Sequence, residues 1–89
     1  MKHILTDDFL LVCNRILDEN KTLEQWALIE SDDMFQEGDY VGGFDATEME
    51  FCFSVTENSR EYWFQLSLQE IEEISTGKKN EVEARLADF

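Results

Sequence analysis

The chain has 89 residues and a formal net charge of −14 at neutral pH, from 21 acidic and seven basic residues. Its length predicts one domain, because chains divide into several domains only at much greater lengths. The charge argues against binding to DNA, RNA or anionic membranes, which are themselves negatively charged. It favours a basic protein partner, with a surface that serves only solubility as the alternative.

The N-terminal segment does not have the pattern of a signal peptide. Such a peptide needs an apolar run of about seven or more residues after its basic start, and Asp7 and Asp8 interrupt this one. No apolar stretch approaches the ~20 residues that span a bilayer. We therefore expect a cytoplasmic protein.

The isolated Cys13 and Cys52 are typical of buried free thiols rather than of a disulfide or a zinc site.

The first predicted element is a helix over residues 7–19, with Thr6 as its cap and one apolar stripe along it. His3 precedes it, in a terminus that we expect to be frayed. Residues 22–31 are ambiguous, because a capping box at their start favours a short helix whereas the apolar run after it favours a buried strand. We interpret residues 26–30 as a strand and residues 32–47 as a long loop with short extended pieces.

The clearest pattern is a β-hairpin formed by residues 48–56 and 61–67, in which large apolar and polar residues alternate in both segments. A two-residue turn at Asn58 and Ser59 places every large apolar pair on one face. A shift of one residue would destroy this match. The register predicts three apolar cross-strand pairs and one pair of opposite charges: Val55 with Tyr62, Phe53 with Phe64, Phe51 with Leu66, and Glu57 with Arg60.

The C-terminal part is predicted to be helical. Ser67 and Glu70 match a capping box, Gly77 is a helix stop, and a last helix begins near Asn80. Its predicted apolar side consists of Val82, Leu86 and Phe89. The predicted fold is α+β, with an N-terminal helix, a small antiparallel β-meander of three or four strands that contains the 48–56/61–67 hairpin, and one or two C-terminal helices.

Nothing in the sequence indicates an enzyme. His3 is the only histidine, and the sequence shows no nucleophile placed to use it as a base. A phosphate-binding glycine loop is absent. Asp33 and Gly38 have the spacing of a calcium loop, but Phe35 and Phe44 occupy two of its ligand positions. We expect no catalytic residues, no cofactor and no metal.

Residues 22–59 contain ten acidic residues and no lysine or arginine. We expect this one-sign segment to face a basic partner, since unrelieved repulsion costs stability. Trp63 lies on the polar side of the hairpin, either covered by a second layer or exposed as an aromatic anchor. The predicted partner-binding residues are Glu30, Asp32, Asp33, Phe35, Asp39, Tyr40, Asp45 and Trp63.

Three segments resemble small immunity proteins of bacterial polymorphic-toxin systems, namely residues 42–48 (GGFDATE), 51–54 (FCFS) and 61–66 (EYWFQL). The likeness extends over about residues 26–75 and lies in a short, acidic, aromatic-rich α+β chain. It implies a protein that neutralises a cognate toxin, often a basic nuclease, by covering its active site. On that resemblance, the toxin would be contacted through acidic residues, here Glu30, Asp32, Asp33, Asp39 and Asp45.

Two other classes of function remain open from the sequence. One is a nucleic-acid mimic of phage or plasmid origin that blocks a defence nuclease of the anti-CRISPR or anti-restriction type. Such a mimic would space its carboxylates along a face like the phosphates of a duplex. The other is a regulatory subunit whose charge serves only solubility.

Overall fold

The computed structural model of the chain describes residues 1–29 and 35–87. The elements are, in chain order, β1 (Lys2–Ile4), α1 (Asp7–Asp18), α2 (Leu23–Ala27), β2 (Phe35–Glu37), β3 (Tyr40–Asp45), β4 (Glu50–Glu57), β5 (Arg60–Leu66), α3 (Leu68–Ser75), β6 (Glu81–Glu83) and β7 (Arg85–Leu86). Strands β2, β3, β4, β5 and β7 form an antiparallel sheet in that order, and β1 pairs with β6 in a second, two-stranded sheet. The predicted α+β class is confirmed.

The central hairpin has the predicted register. Val55 pairs with Tyr62, Phe53 with Phe64, and Glu57 with Arg60 at the turn. The two turn residues have positive φ angles of 53° and 64°, as in the type I′ turn that matches the twist of a hairpin. Alternation and turn length together therefore determined this pairing.

The helices of the described chain pack on one face of the five-stranded sheet, which we call the inner face. Phe9 of α1 lies 5.1 Å from Phe53 and 5.4 Å from Phe64, measured between ring centroids. Trp26 of α2 lies 5.3 Å from Phe51, and α3 adds two buried isoleucines. These aromatic contacts form one buried cluster between the helices and the sheet.

The strand predicted at 26–30 is wrong for its described residues 26–29, because the chain forms the short helix α2 there and a turn after it. The Thr22 hydroxyl accepts a hydrogen bond from the Gln25 backbone N–H, and the Gln25 side chain accepts one from the Thr22 N–H. The capping box thus decides the local conformation. Trp26 is fully buried on the inner side of this helix, whereas Leu28, beyond its end, is exposed.

Residues 32–47 were predicted to be a long loop with short extended pieces, and their part from Phe35 to Asp45 instead forms the continuous β2–β3 hairpin. Gly38 supplies a positive φ of 57° in its turn. At Gly42 a Cβ would lie 2.1 Å from the Cys52 carbonyl oxygen and 2.7 Å from Phe53 Cα. The glycines therefore serve a tight turn and a close strand contact rather than a flexible loop.

At the C-terminus, α3 begins with the predicted capping box of Ser67 and Glu70, and Gly77 follows it with a φ of 80°. The last predicted helix is wrong, since β6 and β7 replace it. Val82 pairs with His3 of β1, and Leu86 pairs with Tyr62 of β5. Both strands take their conformation from distant partners. Phe89 lies outside the described residues.

The terminus that we expected to be frayed is part of the fold. His3 is 4% exposed and pairs across β1 and β6. Helix α1 starts where predicted, but the Thr6 side chain makes no cap hydrogen bond. The Thr6 hydroxyl lies instead 3.5 Å from the Tyr40 hydroxyl, so this residue connects the start of the helix to the sheet.

Candidate functional site

The face of the five-stranded sheet opposite the helices, which we call the outer face, carries a continuous row of side chains. Pairing between neighbouring strands aligns Gln36, Val41, Ser54, Trp63 and Arg85, one from each strand. They share this face because side chains alternate between the two faces of a strand, and residues paired across neighbouring strands point to the same side. No helix in residues 1–29 or 35–87 packs over this row.

A depression of about 350 Å³ lies on the outer face. Gly43, which has no side chain, and Cys52, opposite it on β4, form its floor, and Trp63 borders it. The depression is thus large enough to receive one side chain of a partner, with an aromatic ring beside it.

Trp63 is half-buried. The Arg85 guanidinium carbon lies 5.4 Å from the centre of its ring, within the range of a cation–π contact. Trp63 is thus neither fully buried nor fully exposed, and both interpretations of its role, a covered residue and an aromatic anchor, stay open.

Carboxylates mark one end of the outer face. Asp45 and Glu50 are directly opposed at the ends of β3 and β4, and their like charges repel. Asp45 also has a structural role, since its Oδ1 accepts hydrogen bonds from the Thr47 and Glu48 N–H groups at 2.9 and 3.4 Å. Burial, followed by the charge of Asp45, raises the pKa of the Cys52 thiol, which keeps this thiol protonated at neutral pH.

The structure corrects two of the predicted binding residues. Phe35 and Tyr40 are 3% and 2% exposed, because both occupy inward-facing strand positions. Phe35 packs against Trp26, and the Tyr40 ring lies 5.0 Å from Phe9. These aromatic residues belong to the core and offer no surface to a partner.

The predicted acidic residues do not come together in the described part of the chain. Asp39 lies in the β2–β3 turn and Asp45 at the far end of β3, about 20 Å apart at ~3.3 Å per residue. The predicted residues Glu30, Asp32 and Asp33 lie outside the described residues.

Residues 22–59 contain no lysine or arginine, but in the folded protein a basic side chain from outside this segment lies beside one of their carboxylates. Arg15 of α1 reaches Glu37 of β2, with 3.3 Å between guanidinium nitrogen and carboxylate oxygen. Arg15 also lies over the Phe35 ring. A base that is distant in sequence thus neutralises part of the charge of the acidic segment. Counting charges along the chain does not predict such a contact.

Sequence reasoning missed most of the outer-face site. The alternation did place Cys52, Ser54 and Trp63 on the polar side of the hairpin, which was the signal that could have identified this face. Arg85 was missed because its segment was interpreted as a helix. Gly43 was missed because its segment was interpreted as a loop.

No helix of the described ranges has the length and hydrophobicity needed to cross a membrane. Among the same residues, no three His, Cys, Asp or Glu side chains are arranged to hold a metal ion. Neither protein-family models, nor curated proteins, nor solved structures gave a match to the chain.

Proposed function

We propose that the protein is a stoichiometric binding protein that inhibits a basic protein partner, and that it holds this partner against the outer face. The observation that carries the proposal is the position of Trp63, half-buried beside a depression on a sheet face that the described helices leave open. An aromatic side chain at the centre of an otherwise polar surface is the usual composition of a binding hot spot.

The charge of the chain supports a basic partner. With 21 acidic and seven basic residues, at least 14 carboxylates have no lysine or arginine available for one-to-one pairing. A surplus of this size steers positively charged proteins toward the surface and raises their association rate. Asp45 and Glu50, at one end of the outer face, are the carboxylates best placed to contact such a partner there.

In its narrowest form, the proposal is that of an immunity protein that blocks a cognate toxin such as a nuclease. A nuclease binds a polyanion through a basic surface, so an acidic protein with an aromatic anchor is complementary to it. This assignment draws on the resemblance of residues 42–48, 51–54 and 61–66, and on the charge. It requires no catalytic group in the chain.

The test is a capture experiment from the source cell with three immobilised proteins: the wild type, Trp63→Ala, and Leu28→Ala. Leu28 is 83% exposed and follows α2 on the helix side of the molecule, so it is a matched truncation of an exposed apolar group. We expect the wild type and Leu28→Ala to retain the same basic protein, and Trp63→Ala to lose it. The purified partner should then lose its activity at a 1:1 ratio with the wild type.

Circular dichroism of all three proteins would establish that each is folded. Two results would contradict the proposal: a captured partner that is acidic, or one that Trp63→Ala retains as well as the wild type does. Retention of activity by the partner at saturation would separate simple binding from inhibition.

A further inference from the structure

On the outer face, the Trp63 side chain borders two hollows. The one toward β3 and β4 is the depression described above, with a volume of about 350 Å³. The other lies toward β7, has a volume of about 260 Å³, and is lined by Glu50, Glu83 and Arg85 as well as by Trp63. We call it the β7 hollow. The two hollows share the aromatic ring but differ in the charged side chains that line them.

The β7 hollow contains a basic side chain of the protein itself. Strand pairing places Arg85 directly opposite Trp63, and the Arg85 guanidinium carbon lies 5.4 Å from the centre of the Trp63 ring. The carboxylates of Glu50 and Glu83 line the same hollow. A cation over an aromatic ring, with carboxylates beside it, is a favourable combination. On its β7 side, the Trp63 ring therefore already has this arrangement.

The depression on the other side of Trp63 has a carboxylate but no base. Asp45 lines it, and the described residues that line it include no lysine, arginine or histidine. Glu50 is directly opposite Asp45 on β4, so two negative charges repel each other at this end. Burial, and after it the charge of Asp45, raises the pKa of the Cys52 thiol. The negative potential of Asp45 thus extends over the floor of the depression, where a cation would be favoured.

The distance between the floor and the carboxylate determines the shape of a suitable ligand. Gly43, on the floor, precedes Asp45 by two residues of β3, which is about 7 Å at ~3.3 Å per residue. A group that enters over Gly43 beside Trp63 therefore needs an apolar stem several atoms long before its charge. Lysine and arginine have such a stem, and they bury it along apolar surface while the charged head reaches polar groups.

We propose that the depression receives a lysine or arginine side chain of the basic partner. The aliphatic stem lies against the Trp63 ring, and the cationic head reaches Asp45 and Glu50, whose mutual repulsion it relieves. This inference rests on the proposed function for the source of the side chain. It adds the contact by which the outer face selects a basic partner over a neutral one.

The probes are Nα-acetyl-L-arginine methylamide and Nα-acetyl-L-lysine methylamide, titrated separately into the ¹⁵N-labelled full chain at constant ionic strength. The chain has two tryptophans, and Trp63→Phe removes one of the two indole N–H signals and so assigns both. We expect saturable NMR shifts of the Trp63 indole and the Gly43 amide, with a dissociation constant on the order of 1 mM for a single side chain. The Trp26 indole, fully buried on the inner face, should not shift.

Two neutral probes separate the charge from the stem. Nα-acetyl-L-citrulline methylamide resembles the arginine probe in shape, and Nα-acetyl-L-norleucine methylamide has the stem of lysine, but neither carries a charge. Neither should give a saturable shift of the Trp63 indole in the same concentration range, because the carboxylates then attract no cation.

Variants locate the cationic head. Asp45→Asn keeps a side-chain oxygen that can accept the Thr47 and Glu48 N–H groups, and Glu50→Gln preserves shape as well. Each should weaken binding of the cationic probes about threefold, and the double variant about tenfold, as expected for partly exposed ion pairs. Glu72→Gln is the control for net charge, because Glu72 is exposed on α3, on the helix side of the molecule. It should leave the affinity unchanged.

The proposal is overturned if neither cationic probe gives a saturable shift of the Trp63 indole, or if the neutral probes bind equally well. It is also overturned if Glu72→Gln weakens binding as much as Asp45→Asn does, since the effect would then be one of net charge.

The captured partner distinguishes this proposal from the proposed function. If Trp63→Ala loses the partner and the double variant of Asp45 and Glu50 binds it as tightly as the wild type, the outer face holds the partner by other contacts, and only this inference fails. If the cationic probes bind as expected and Trp63→Ala retains the partner, the proposed function fails, and the selectivity of the depression for a cationic side chain stands.

Discussion

Neighbouring residues of β4 show how differently the two faces of the sheet are built. Phe53 points to the inner face, is 1% exposed and packs against Phe9. Cys52 and Ser54, on either side of it, point to the outer face and are half-buried. The inner face concentrates the aromatic packing that stabilises the domain. The outer face contributes little to that packing, so its side chains remain available for recognition.

The largest expected difference between the faces is in stability. Phe53→Ala should lower the free energy of unfolding by about 3–5 kcal/mol, because it removes a buried aromatic ring and leaves a cavity. This is a large part of the ~5–15 kcal/mol that holds small domains folded. Urea denaturation at equilibrium measures it. A loss below about 1 kcal/mol would mean that the inner face does not pack as described.

The chemical reactivity of the two cysteines provides a second comparison between the faces. Burial raises the pKa of the Cys13 thiol to about 12, and this residue is fully buried among the core side chains of α1. Cys52 is half-buried on the outer face. We expect Cys52 to react with a disulfide reagent at least about a hundredfold faster than Cys13, because the Cys13 thiol becomes accessible only when the protein unfolds around it.

The pH dependence of this labelling follows from the sign of the pKa shift. A raised pKa means a smaller thiolate fraction at a given pH, so Cys52 should react more slowly than an unhindered thiol and accelerate as pH rises. Mass spectrometry of the labelled peptides distinguishes the two sites. Equal labelling of Cys13 and Cys52 in the native protein would contradict the assignment of the faces.

A smaller effect is expected where the two strands approach most closely. Gly42→Ala should cost about 1–3 kcal/mol, since the new Cβ would overlap backbone atoms of Cys52 and Phe53 that belong to the adjacent strand. Thermal unfolding followed by circular dichroism would measure the loss. Unchanged stability would show that β3 and β4 separate more easily than this contact indicates.

The smallest effect is expected on the outer face itself. Ser54→Ala should change stability by no more than about 0.5 kcal/mol, because its hydroxyl makes one long hydrogen bond of 3.4 Å to the Val41 carbonyl oxygen. The same urea titration used for Phe53→Ala provides the measurement. A loss as large as that of Phe53→Ala would remove the distinction between the faces.

Much of the fold could be predicted where the signals are local. The hairpin register followed from alternation and a two-residue turn. The capping box of Ser67 and Glu70 marked the start of α3 correctly. The matching box at Thr22 and Gln25 was recognised but given less weight than the apolar run after it, and this led to the wrong strand. A short apolar run is ambiguous because buried helices and buried strands both contain one.

The candidate site could be predicted only in part. Trp63 was identified because it stands among the polar residues of the alternating pattern in β5. The strand register places it on the outer face, and its role there stays a prediction. Phe35 and Tyr40 were misplaced because their segment was interpreted as a loop with short extended pieces, so the pairing of β2 with β3 was not foreseen. Once β2 and β3 pair, the same residues face the core.

The sequence by itself determined the elements whose information lies within a few residues: the central hairpin, the first helix and the capped start of α3. Tertiary structure alone decided the strands of two or three residues, which have too little local preference to form without a partner. β6 exists because β1 lies beside it, and β7 because β5 does. The same long-range pairing buried His3 and placed Arg85 over Trp63. It also brought Arg15 to Glu37, since the distribution of charge in space depends on contacts between residues far apart in the chain.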